Sequence, residues 1–175
     1  RVVSNWRATD SLDAALTREG VIGISGIDTR AVTRRIRSTG SLRGAIFSGA
    51  AAAIDPDEQL AQVLAIPAMA GRNLSADVST DIEKVTLAVG ERIGNVAVLD
   101  LGVKQATVNN LAARGFEVHV LPHSSTIEQI RAIDPIAVFY SNGPGDPAAS
   151  DSQVALLRSV LDAGAQVLAV SQFTL

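Results

Sequence analysis

There is no cysteine in the 175 residues. Disulfides, thiolate metal sites and cysteine nucleophiles are therefore excluded within this stretch. Histidine is nearly absent: His119 and His123 are the only two. That leaves too few soft ligands for an ordinary zinc site, and no metal site is expected. Aromatic residues make up 3%, so base-stacking platforms for single-stranded nucleic acid are scarce. No run approaches the roughly 20 uninterrupted apolar residues that a membrane helix needs. The opening Arg1-Val2-Val3-Ser4-Asn5-Trp6 has neither an apolar signal region nor an initiator Met. It reads as a chain entered mid-sequence or one whose Met was processed away.

What is present points to a packed soluble core. Apolar residues make up 47% and charged residues 19%, outside the composition of disordered chains. With few aromatics, Ala, Val, Leu and Ile must fill that core. The length suits one ordinary domain or parts of two. The net charge of −3 hides an asymmetry. Residues 1–49 carry eight arginines against four acids, and residues 50–175 carry seven bases against fourteen acids. Such a shift marks two differently used parts. The acidic balance overall, with a pI of 5.3, argues against nucleic acid as a partner. The lack of cysteine is compatible with a cytoplasmic origin.

The first part reads as short capped elements. Ser11 can cap a helix reaching about Glu19, with Gly20 as its stop. Residues 21–24 form a short apolar run of strand type. Asp28 can cap a second helix ended by Gly40, and residues 42–47 again look like a strand. Asp55-Pro56-Asp57-Glu58 opens a third helix, with a carboxylate for the free amides and proline at the first helical position. It should run to about Ala65 and stop before Pro67. Residues 67–93 are richer in Gly, Ser, Thr and Asp and read as a connector with one strand near 85–88. From residue 94 the rhythm changes. Apolar strands at 96–99, 116–121, 136–140 and 166–170 alternate with helices opening near Val103, Thr126 and Asp151. That alternation implies an α/β fold with a parallel sheet covered on both faces.

Ser141-Asn142-Gly143-Pro144-Gly145-Asp146-Pro147 follows the third of these strands. The carboxyl ends of parallel strands are where open α/β sheets bind ligands. Gly143 and Gly145 let backbone come close to a ligand, and Pro144 and Pro147 stiffen the loop. Backbone amides presented in this way can hold an anion or an oxyanion. Turn chemistry alone also explains every residue of the loop.

The same seven residues resemble the signature loop of class I glutamine amidotransferases, in the form found in carbamoyl-phosphate synthase small chains. Gly23-Ile24-Ser25-Gly26-Ile27-Asp28-Thr29-Arg30-Ala31-Val32-Thr33 resembles that family's signature in its N-terminal domain. Ser4-Asn5-Trp6-Arg7, Leu42-Arg43-Gly44-Ala45-Ile46, Val78-Ser79-Thr80 and Val98-Leu99-Asp100-Leu101-Gly102-Val103-Lys104 fit the same family in the same order. The resemblance implies three parts: the C-terminal part of the N-terminal α/β domain in 1–66, a connector in 67–93, and the N-terminal half of a flavodoxin-like amidotransferase domain in 94–175. It implies a subunit that releases ammonia from glutamine and passes it to a large synthetase subunit for carbamoyl phosphate, in the arginine and pyrimidine pathways. It also implies that Gly143 and Gly145 bind glutamine, with Gly143 helping to form an oxyanion hole. ATP and metal would belong to the large subunit, and this chain would need no cofactor of its own.

The resemblance breaks near residue 165. The family's cysteine elbow falls on Ala169-Val170-Ser171-Gln172-Phe173, so Ser171 stands where the nucleophile belongs. Both glycines that permit the strained elbow are replaced. No histidine follows Ser171 to act as its base, so the chain alone is expected to be inactive. The last dozen residues instead resemble a Ser-Gln-Phe-Thr-Leu segment of D-aminoacyl-tRNA deacylases. Two alternatives follow: a fused or misassembled chain with that tail, or a non-catalytic module that docks on the large subunit. For docking, Arg30, Arg34 and Arg37 lie at helical spacing on one face, with Arg35 beside them. The plainer reading of that stripe is a solvated helix face.

Overall fold

The computed structural model describes residues 3, 5, 6 and 8–170, and only the backbone of 167–170. Two compact units emerge, divided between Ala68 and Met69.

The first unit is built from capped helices. Helix α1 spans Leu12–Arg18, and the Ser11 side chain accepts from the Ala14 amide. Helix α2 spans Thr29–Thr39, with Asp28 accepting from Ala31 N and Gly40 at its C-cap. Helix α3 spans Pro56–Ala65, opened by Asp55 accepting from Asp57 N. These termini fall where the cap residues and breakers put them. No residue of the three helices is buried. The strands expected at 21–24 and 42–47 are a correction: neither segment is in a strand. The reason is physical. A strand exists only through a neighbour that shares its backbone hydrogen bonds, and neither segment has such a neighbour among the described residues. Their apolar side chains stay exposed, Ile22, Ile24, Leu42 and Ile46 among them.

The second unit holds a five-stranded sheet in the order β1-β3-β2-β4-β5. It opens with the one-turn helix α4, Ser75–Val78. The strands are β1 (Lys84–Thr86), β2 (Gly94–Leu99), β3 (Phe116–Leu121), β4 (Ala137–Tyr140) and β5 (Val167–Val170). Strands β2 to β5 pair in parallel. The strand of the 67–93 stretch, β1, joins β3 antiparallel with Val85 opposite His119. The sheet is therefore mixed, with its one antiparallel strand at the edge. Three helices connect the parallel strands: α5 (Gln105–Ala112), α6 (Ile127–Ala132) and α7 (Asp151–Asp162).

Period-2 alternation sorts the side chains into two cores. On one face Ala97, Leu99, Val138 and Tyr140 pack with Ile130 of α6 and with Leu157 and Val160 of α7. On the other, Val96, Val98, Val118 and Val120 pack with Val108 and Ala112 of α5. Strand β2 is buried on both faces, which is why it reads as an unbroken apolar run. The chain leaves β2 toward β3 on one side and later returns to β4 on the other. The topological switch point thus lies between the ends of β2 and β4.

Candidate functional site

The loop 141–147 leaves β4 at that switch point, beside the turn that leaves β2. Ser141 is buried. Its hydroxyl accepts from Leu101 N at 2.9 Å and donates to Asn142 O at 3.0 Å. The two turns are packed tightly enough that a side chain at Gly143 would force one of them to move. A Cβ there would stand 1.9 Å from the Leu101 carbonyl oxygen. Gly145 is excluded from substitution on two grounds. Its φ is +99°, a conformation L side chains rarely adopt, and a Cβ would meet Arg72 O at 2.6 Å.

The β2 turn is held by Asp100. One carboxylate oxygen accepts from Gly102 N at 3.0 Å and Val103 N at 2.9 Å, and the other accepts from Thr80 N at 2.9 Å. The β4 loop is held by Asp146 in the same manner. Its carboxylate accepts from Gly71 N at 2.8 Å and Ala148 N at 2.9 Å. Those backbone amides hold the Asp146 carboxyl below the usual carboxylate range. Its own amide donates to Arg72 O at 2.8 Å, and Gly145 forms an isolated antiparallel bridge with Asn73.

Neither histidine joins Gly143 or Gly145. His119 lies in β3, with Nδ1 2.6 Å from Glu83 and Nε2 3.2 Å from Glu117. His123 follows β3. Its Nδ1 lies 3.2 Å from Nε2 of the buried Gln153, which also donates to the His123 carbonyl. Tyr140, at the end of β4, is fully buried, and burial pushes its hydroxyl well above the ordinary phenol range. No group of three or more His, Cys, Asp or Glu side chains comes together to hold a metal among the described residues. Lys104 stands at the N-cap of α5. Ser171 lies outside the described residues, so the expected elbow position has no structural counterpart here. In the first unit, Arg30, Arg34 and Arg37 line one groove of α2 with Thr29 and Thr33, and Arg35 is not part of it.

The roles of Asp100 and Asp146 were not foreseen. Asp146 before Pro147 is a legible cap, and it opens a short 3-10 helix at Pro147–Ala149. Its second partner, Gly71, is 75 residues away, and no local pattern announces a contact of that kind.

A β-strand end, a Gly-Pro-Gly loop and a switch point covered by helices on both faces are the framework of an amidotransferase-type α/β domain. Residues 97–171 match the family model of class-I glutamine amidotransferases, and residues 1–46 match that of the carbamoyl-phosphate synthase small chain, CPSase domain. The chain is 49% identical over 172 residues to the carbamoyl phosphate synthase small chain of Streptomyces coelicolor, covering 97% of this chain and 44% of the relative. It is 52% identical over 163 residues to that of Streptomyces avermitilis, covering 92% and 42%. It is 49% identical over 162 residues to that of Mycolicibacterium paratuberculosis, covering 93% and 43%. On these matches the chain belongs with the carbamoyl-phosphate synthase small chains, and it spans less than half the length of the relatives it matches. The amidotransferase match runs through residue 171, so a deacylase tail is not favoured.

Proposed function

We propose that this chain is part of the subunit that hydrolyses glutamine and delivers ammonia for carbamoyl phosphate synthesis, with Gly143 and Gly145 in the glutamine site. The observation that supports this most is the Gly143 packing. The loop's shape exists only with a bare α-carbon at that position, 1.9 Å being far inside any contact distance. A loop that needed only to turn would not need to press against the β2 turn at the switch point. Gly143 would help stabilise the oxyanion that forms when the glutamine amide is attacked. Gly145 would let backbone approach the substrate closely.

The partner is a large synthetase subunit, which would hold the ATP and metal that this chain's own chemistry does not call for. The groove of Arg30, Arg34 and Arg37 is the surface offered for that docking. A cytoplasmic location fits such a reaction. Among the described residues no helix is long and apolar enough to cross a membrane.

This 175-residue chain by itself should release no ammonia from glutamine, because it contains no cysteine nucleophile and neither of its two histidines joins the Gly143–Gly145 loop. Ammonia release from the 175-residue chain that disappears on Ser171→Ala would contradict that. Docking is tested by pull-down with the large subunit: the chain should be retained, and replacing Arg30, Arg34 and Arg37 together with Ala should abolish retention.

A further inference from the structure

The segment between Gly71 and Thr80 is tied at both ends by carboxylates of the two switch-point turns. At one end Gly71 N donates to Asp146 at 2.8 Å, and at the other Thr80 N donates to Asp100 at 2.9 Å. Between them, Arg72 O accepts from Asp146 N, Asn73 bridges Gly145, and Ser79 Oγ accepts from His123 N at 2.9 Å. Asn73 adds a long contact to the buried Gln153, 3.5 Å from Nδ2 to Oε1. The segment therefore forms a strap across the ends of β2, β3 and β4. At Gly145 the fit is close, since a Cβ there would meet Arg72 O at 2.6 Å and Leu74 N at 2.9 Å.

We propose that residues 71–80 are a clasp that sets the conformation of the Gly143–Gly145 loop, and that Asp146 is its positioning residue. The inference rests on the glutamine reading of that loop and adds to it a segment that no part of that reading requires. The chemistry is simple. A loop with two glycines is entropically loose, and preorganised donors work only when they are held before the substrate arrives. The carboxylate supplies two charge-assisted hydrogen bonds, one to the Gly71 amide of the clasp and one to the Ala148 amide just after the loop. Because the clasp is the stretch of chain that follows the first unit, tension or ordering at residues 69–71 would reach the glutamine loop without passing through the sheet.

The test compares wild type, Asp146→Ala and Asp146→Asn in the full-length protein that contains these residues, assembled with its large-subunit partner. Amide hydrogen exchange at 71–74 and 143–146 should accelerate about tenfold in Asp146→Ala, the scale of one lost charge-assisted hydrogen bond. Exchange at Val96, Ala97, Val98 and Leu99 should stay unchanged. The KM for glutamine should rise about tenfold while kcat stays within about threefold, as expected when substrate positioning is lost and the chemistry is not. Asp146→Asn keeps the shape and one acceptor and should fall between the two; it carries the test if the alanine variant does not fold. Unchanged exchange at 71–74 and 143–146 would overturn the clasp. So would equal acceleration throughout the sheet with kcat and KM both degraded, which is general destabilisation. If the wild-type complex releases no ammonia from glutamine, the functional reading fails instead, and the exchange data still decide the clasp.

Discussion

Gly143 and Asp146 divide the work of the loop between space and charge. Gly143→Ala would place a methyl carbon 1.9 Å from Leu101 O, so one of the two turns must move. Overpacking of this kind costs about 1–3 kcal/mol, and urea denaturation of the variant should show a loss in that range with an unchanged m-value. Asp146 predicts a pH dependence. Its pKa is lowered in the folded protein by the amides of Gly71 and Ala148, so its stabilisation is present above the ordinary carboxylate pKa. That contribution is lost as pH falls through the lower, folded value. Denaturation midpoints of wild type should therefore drop below about pH 4, and the part due to Asp146 should be missing in Asp146→Ala. A variant with the same acid response as wild type would contradict this assignment.

Individual elements were legible in the sequence to the extent that their signals are local. Every helix carrying a cap residue and a breaker appears with those caps: Ser11, Asp28, Asp55 and Thr126 each accept a backbone amide. Thr126 forms a reciprocal capping box with Gln129, and Thr126→Ala should cost about 1 kcal/mol in chemical denaturation. A change under a few tenths would mean that tertiary packing alone holds α6. The buried strands were equally plain, because a run such as Val96-Ala97-Val98-Leu99 is apolar on both faces. The two strands expected in the first unit were not found, because strand character is a property of pairs. Apolar β-branched residues at 21–24 state a preference that only a neighbouring strand can realise. The loop glycines were readable as a turn or a ligand loop, and the clasp was not readable at all. Its defining bonds join residues 75 and 20 positions apart, and its residues look locally like an ordinary polar connector.

At the scale of the molecule the two units differ in kind. The second has two apolar clusters on either side of one sheet, whereas the helices of the first contribute no buried residue. Local stability follows burial. Amide exchange in this 175-residue chain should thus be fast across 8–66 and slow at Val96, Val98, Val118 and Val138. Comparable protection in both regions would show that the first unit is covered by something it recruits. The exposed Ile22, Ile24, Leu60 and Leu64 mark where such cover would fall. The first unit carries the match to the carbamoyl-phosphate synthase small chain, CPSase domain, and the second carries the match to class-I glutamine amidotransferases.

The proposed glutamine site lies at the switch point, and ammonia release tests it most directly. The full-length protein containing these residues, assembled with the proposed large-subunit partner, should release ammonia from glutamine, and Gly143→Ala should cut the rate about 100-fold, the scale of one oxyanion donor displaced. Undiminished release by a folded Gly143→Ala protein would contradict the assignment of the loop, and no release by wild type would contradict the function.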